Sequence, residues 1–115
     1  MNVSDITDKL GLTLFAGKQG LSRKITGGYT SDLLSDVMGN AREGQVWVTL
    51  QSHKNVMAIA SLKDLAAVIL VKGFTPDEDM KKLADEENIP VLGTKEQCFE
   101  ISGKLYNLLE DNENI

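Results

Sequence analysis

The sequence predicts an α/β fold, a three-layer sandwich in which a mostly parallel sheet of about four to five strands carries helices on both faces. Two apolar runs and the segment between them carry this reading. Val46-Trp47-Val48-Thr49-Leu50 and Ala66-Ala67-Val68-Ile69-Leu70-Val71 are nearly continuous and lack strict alternation, as strands buried on both faces do. Between them lies Ser52 to Leu62, where Val56, Ile59 and Ala60, continued by Lys63, fall at helical spacing. The chain therefore crosses from strand to strand through a helix, the βαβ unit of parallel sheets.

The remaining elements follow in order. Val3 to Leu10 is a small amphipathic helix with Ser4 as its cap, and Leu12 to Ala16 a short strand. Arg23 to Tyr29 reads as a strand interrupted by Gly27-Gly28; Leu33, Leu34, Val37 and Met38 then form the stripe of a helix ending near Gly39-Asn40. After the βαβ unit, Thr75 caps a helix with Pro76 at its first position and Glu78 closing a capping box. Met80, Leu83 and Ala84 give that helix one apolar stripe to about Glu87, where Asn88 takes the left-handed terminal position. Ile89-Pro90-Val91-Leu92 begins a strand that Pro90 assigns to a sheet edge. Thr94-Lys95-Glu96-Gln97 repeats the capping pattern before a last helix with a broad apolar face of Cys98, Phe99, Ile101, Leu105, Tyr106, Leu108 and Leu109. Right-handed crossovers then distribute helices over both sheet faces. We read residues 1–110 as a single domain and 111–115 as an acidic C-terminal tail.

Composition narrows the function classes. Cys98 and His53 are the only residues of their kinds, so neither a disulfide scaffold nor a classical zinc site can be built. Twelve Lys/Arg against seventeen Asp/Glu leave a net charge of -5, which opposes the electrostatics of nucleic-acid binding and makes nucleic acid an unexpected partner. Met1 to Leu10 lacks the basic start and apolar core of a secretory signal, and no apolar run reaches the ~18 residues of a membrane span. The expectation is a cytoplasmic protein without membrane contact.

In open parallel sheets ligands bind outside the carboxyl ends of the strands, so the loops entering the helices are the candidate site. They are Tyr29-Thr30-Ser31-Asp32, Thr49-Leu50-Gln51-Ser52-His53, Lys72-Gly73-Phe74-Thr75 and Gly93-Thr94-Lys95. Hydroxyls at helix starts stand where free N–H groups and the macrodipole favour an anion. Thr75 and Thr94 are accounted for by their own capping boxes, which leaves Thr30, Ser31, Asp32, Thr49, Gln51, Ser52 and His53 as candidate ligand-binding residues. His53 has the chemistry of a base or phosphoryl acceptor, against the plainer role of an exposed, hydrogen-bonding imidazole. Asp32 and Asp36 share a helix face, yet two carboxylates leave most of a hard cation's shell to water, so they read as solvated charges and no metal site is expected. Cys98 reads as a small core residue, and Lys81-Lys82 as a solvated helix face. Gly27-Gly28 lacks the further glycine of a dinucleotide fingerprint, and Gly44 and Gly73 lack a P-loop's Gly-Lys-Ser/Thr. No cofactor is called for.

The stretches Tyr29-Thr30-Ser31-Asp32-Leu33-Leu34-Ser35-Asp36-Val37-Met38, Val46-Trp47-Val48-Thr49-Leu50-Gln51-Ser52-His53 and Ala58-Ile59-Ala60-Ser61-Leu62 resemble the small stand-alone group of DRTGG-domain proteins, over about residues 3 to 109. The resemblance implies an α/β sandwich similar to the N-terminal domain of HPr kinase/phosphorylase. It also implies a role like that of related domains beside CBS domains in regulated pyrophosphatases and in long phosphotransacetylases, which regulate or dimerise and do not catalyse. The naming signature should follow the strand of Trp47, where Gln51-Ser52-His53-Lys54-Asn55 stands instead of Asp-Arg-Thr-Gly-Gly; Ile25-Thr26-Gly27-Gly28 is similar but belongs to an earlier strand. The function expected is a non-catalytic regulatory module that binds a small anionic ligand, a nucleotide before others, and forms a homodimer. The alternative is an interaction subunit of a larger redox or regulatory complex, anchored by Trp47 or Phe74 to a partner protein. An enzyme built on His53 ranks last, because no nucleophile with an orienting partner accompanies it.

Overall fold

The computed structural model describes residues 1–113. Its elements are α1 (Val3–Lys9), β1 (Thr13–Ala16), a 3-10 turn (Lys18–Gly20), β2 (Gly27–Thr30), α2 (Leu34–Asn40), β3 (Gln45–Thr49), α3 (Lys54–Leu62), β4 (Ala67–Leu70), α4 (Glu78–Glu87), β5 (Val91–Gly93) and α5 (Cys98–Glu113). The five strands form one sheet in the order β1-β5-β4-β3-β2. β2 to β5 are mutually parallel, and β1 closes the far side of β5 in the antiparallel sense.

The continuous apolar runs divide between two cores by their period of two. Trp47, Val68, Leu70 and Val91 face α2, α3 and α4 and pack with Val37, Val56, Met57, Ala60, Met80 and Ala84. Val46, Val48, Ala67, Ile69 and Leu92 face the other way and pack with Val3 and Ile6 of α1 and with Ile101 and Leu105 of α5. The three-layer sandwich is therefore as the sequence predicts, with one difference in how it arises. Successive parallel strands are neighbours, so α2, α3 and α4 all cross on one face, and the second helical layer comes from the two ends of the fold.

Several helix starts differ from expectation. Asn2, not Ser4, caps α1: its side chain accepts from the Asp5 N–H while the Asp5 carboxylate accepts from the Asn2 N–H, each at 2.9 Å. Asp77, not Thr75, caps α4 by accepting from the Met80 N–H at 2.8 Å; a carboxylate beside the positive helix end outcompetes a hydroxyl two residues earlier. The Thr94 hydroxyl accepts from the Glu96 N–H at 3.2 Å within the loop, and α5 begins only at Cys98. Asn88 does take the left-handed position, with φ 55°.

β5 is not an edge strand, because β1 covers its outer side. Pro90 is accommodated because it precedes the ladder and contributes only its carbonyl, which accepts from the Val68 N–H at 2.9 Å. The strand expected from Arg23 starts at Gly27; Arg23 instead reaches across to the Asn88 carbonyl at 2.8 Å and to the Asp64 carboxylate at 3.0 Å. α5 continues past the predicted Leu109 to Glu113, so the first part of the expected tail is helical, while Asn114 and Ile115 lie outside the described residues. Phe99 and Tyr106, assigned to its apolar face, are instead 85% and 65% exposed. α5 packs on β2 and β3 at the margin of the sheet, burying Ile101 and Leu105 while Phe99 and Tyr106 face outward.

The join between β1 and the rest is narrow at Gly17, which has φ 78° and whose N–H donates to the Asp85 carboxylate at 2.7 Å. A Cβ there would overlap the Ile89 carbonyl. Gly17→Ala is expected to lose about 2 to 4 kcal/mol in urea unfolding, from left-handed strain and overpacking together.

Candidate functional site

The carboxyl ends of β2 and β3 are tied together around Trp47 and Asp32. The Trp47 indole is fully buried and donates to the Ser31 carbonyl at 2.8 Å, which meets the polar requirement of a buried indole and fixes where the chain leaves β2. It cannot be the exposed anchor of a partner protein. One residue on, the Asp32 carboxylate accepts from the buried Thr49 hydroxyl at 2.8 Å and from the Leu50 N–H at 2.7 Å through the same Oδ1. The Gln51 side-chain amide returns the tie by donating to the Asp32 carbonyl at 3.0 Å, and the Gln51 N–H donates to Thr49 Oγ1 at 3.1 Å.

Four of the sequence-predicted site residues, Ser31, Asp32, Thr49 and Gln51, are thus brought together: Asp32, Thr49 and Gln51 bond one another, and Ser31 joins through Trp47 and Val48. Thr30 leaves the group: its side chain points to the opposite sheet face, where its hydroxyl lies 2.8 Å from that of Ser102 on α5. Ser52 and His53 lead into α3. The Ser52 carbonyl accepts from the Asp77 N–H at 3.1 Å, and His53 Nδ1 stands 3.4 Å from the Asp77 carboxylate. His53 occupies the cap position of α3 without a side-chain capping bond; its carbonyl accepts from the Val56 N–H at 3.0 Å, and the N–H groups of Lys54 and Asn55 are left to solvent or to a ligand.

Asp36 belongs to a separate cluster that spacing alone did not reveal. Its carboxylate accepts from the Tyr29 phenol at 2.9 Å and from the Asn40 side chain at 3.0 Å. The Ser31 hydroxyl, the Tyr29 phenol and the Asn40 amide hold the Asp36 carboxyl below the usual carboxylate range, against a smaller upward pull from burial. Tyr29 is pushed up correspondingly by its hydrogen bond to Asp36, by burial and by the Asp36 charge. Asp32 and Asp36 are engaged with different partners and do not form a shared cation site. Among the described residues no cluster of three or more His, Cys, Asp or Glu could hold a metal ion.

A wide groove lies elsewhere, between the free side of β2 and α5. It encloses about 810 Å³ and is lined by Gly28 and Thr30 on one wall and Phe99, Ser102, Gly103 and Tyr106 on the other. Only Thr30 among the predicted ligand residues reaches it. Sequence reasoning missed this groove because Phe99 and Tyr106 fall at helical spacing with buried residues and read as core.

The DRTGG domain family matches residues 5–108 of the chain. Among solved structures, the CBS and DRTGG domains of the regulatory region of a Clostridium perfringens pyrophosphatase, complexed with its activator diadenosine tetraphosphate, superpose with a TM-score of 0.69 at 16% identity. The match covers 91% of this chain and 45% of that one, so the chain corresponds to less than half of that region. No curated protein sequence matches. No helix among the described residues is long and apolar enough to cross a membrane.

Three variants check the geometry. Asp32→Ala strands the buried Thr49 hydroxyl and the Leu50 N–H and should cost about 2 to 3 kcal/mol in chemical unfolding, whereas Asp32→Asn keeps an acceptor and should cost about 1. Because the folded-state pKa of Asp36 is lowered, its contribution is complete above about pH 4 and is lost as the pH falls through the lowered value. Asp36→Asn should therefore flatten the decline of stability below about pH 4 that the parent protein shows in an acid titration.

Proposed function

The chain belongs to the DRTGG-domain family, and from that premise we propose that it is a regulatory module that binds a small anionic ligand, a nucleotide before others, without catalysing a reaction. The observation that carries this reading is the open start of α3. Its N–H groups take no side-chain cap, and Lys54 adds a positive charge at the same point. Gln51, Ser52 and His53 form the rim there, at the carboxyl end of β3. An anion placed at this end meets free donors and the positive pole of the helix. The start of α4, by contrast, is already occupied by its own Asp77.

Asp32 serves this site from behind. Its carboxylate sets the turn from Thr49 to Gln51, so it positions the rim and need not touch the ligand. The similar fold in the pyrophosphatase regulatory region, solved with a dinucleoside tetraphosphate activator, supports a nucleotide as the first class to try.

A second reading is an interaction module that dimerises or joins a larger complex. The exposed Phe99 and Tyr106 beside the groove favour it, in place of the buried Trp47. Phe74 remains 46% exposed but lies away from the groove.

Thermal unfolding against a panel of nucleotides, with and without magnesium, tests the ligand reading. A ligand at a hundred times its dissociation constant should raise the midpoint by about 10 °C. Lys54→Glu should abolish the shift while leaving the unliganded midpoint within about 2 °C, since surface substitutions away from buried partners change little. A flat panel would overturn the nucleotide proposal.

A further inference from the structure

We propose that the free edge of β2 takes an extended peptide segment of another protein as an added strand, with the segment's apolar side chains in the groove beside α5 and a basic residue at Glu110. This deepens the interaction reading, on which it rests, by naming the partner's chemistry, and it is independent of the nucleotide reading.

The edge itself is open. β2 ends the sheet, and among the described residues no strand pairs with its far side. The Ser31 N–H donates to the Val48 carbonyl at 3.2 Å, so in the parallel ladder the main-chain groups of Tyr29 and Ser31 turn to β3 and those of Gly28 and Thr30 turn outward. Sheet edges are ordinarily blunted by a charge, a proline, a bulge or a covering element. At the opposite edge β1 carries such an irregularity between Leu14 and Ala16. Gly27-Gly28-Tyr29-Thr30 has neither charge nor proline, and its register with β3 runs without a shift. The edge therefore presents N–H and C=O groups at the spacing of a next strand.

The groove supplies the side-chain contacts. α5 lines it from Cys98 to Glu110, about 18 Å of helix, which matches five or six extended residues at about 3.3 Å each. A strand added at Gly28 and Thr30 turns every second side chain toward α5. There Phe99, Leu105, Tyr106 and Leu109 form an apolar wall, with Phe99 and Tyr106 85% and 65% exposed. A groove between a strand edge and a helix binds peptides through main-chain bonds, and alternate side chains give the selectivity.

Charge selects the occupant. Glu110 is the one charged residue lining the groove among the described residues, and it stands toward the C-terminal end of α5, where the helix carbonyls favour a cation and the last turn carries no basic residue. Lys104, the one cation of α5, is already paired with Glu96. With the whole chain at a net charge of -5, the complementary segment is cationic where it meets Glu110.

Selection of a random heptapeptide library on the full chain, followed by titration of the selected peptides, tests the proposal. They should alternate apolar residues, carry Lys or Arg at one end and bind with a Kd of about 10 µM. Binding should slow hydrogen exchange of the Gly28 and Thr30 amides about tenfold and leave that of Ser31 unchanged. N-methylation of the peptide amides that face β2 should abolish binding, whereas methylation of the alternate amides should not. Gly103→Leu fills an exposed position of the groove wall, where it raises helix propensity, and should weaken binding about tenfold with the circular dichroism unchanged. Glu110→Lys should weaken it about tenfold, and a peptide with Glu in place of its terminal base should restore it. Leu62→Ser, on an exposed apolar residue of α3, should have no effect. A library without a binder, indifference to methylation of the inward amides, or a charge swap that restores nothing would each overturn the assignment. Peptides that bind yet leave Gly28 and Thr30 unmoved and tolerate Gly103→Leu would also overturn it, while the interaction reading would stand on another surface. Gly28 and Thr30 amides that exchange slowly without peptide, and more slowly as the chain is concentrated, would give the edge to a second copy instead.

Discussion

Everything in this fold depends on one topological constraint: the parallel strands are adjacent in the order in which the chain makes them. Right-handed crossovers between successive neighbours must all fall on the same face, so α2, α3 and α4 form one layer by necessity. The opposite face would then be bare apolar sheet, and it is covered only because α1 and α5 return to it. The same constraint leaves β2 as an open edge beside α5. It also means that the parallel strands contain no point where their order reverses, which is where doubly wound sheets open a crevice for ligands.

That explains the character of the strand ends. Without a ready-made crevice, the loops after β2 and β3 close on each other, and the groups that looked like ligand contacts are spent on structure. The buried Thr49 hydroxyl requires an acceptor, and Asp32 supplies it while also holding the Leu50 N–H. The Trp47 indole requires another and takes the Ser31 carbonyl. What stays open is the start of α3, which like that of the shorter α2 takes no capping side chain.

Much of the fold was legible in the sequence because burial on two faces leaves a strong mark: the runs 46–50 and 66–71 could only be central strands, and the helical stripes of α3 and α4 lie where spacing places them. Family resemblance was legible for a related reason, since the loops that must bond to one another carry a distinctive wording. Capping was less legible. Asn2 and Asp77 won over Ser4 and Thr75 through geometry that spacing does not encode. The site was legible in part. Ser31, Asp32, Thr49 and Gln51 do meet, yet sequence order could not say that they would satisfy one another, nor that Thr30 would face the other layer. The groove was invisible because exposure of Phe99 and Tyr106 depends on where α5 sits along the sheet's margin, not on its pattern.

The antiparallel pairing of β1 with β5 has a temporal side. Thr13 pairs with Gly93, so the first strand made must wait for the last before it has a partner. Closing so long a loop is entropically costly and slows the search, as in all chains rich in distant contacts. The whole βαβαβα segment from β2 to α4 separates the two partners, and the core that buries Val3, Ile6 and Leu12 is completed only by Leu92 of β5 and by Ile101 and Leu105 of α5. The β1–β5 ladder is thus the most distant pairing in the sheet, and until it closes the outer side of β5 is an unpaired strand edge.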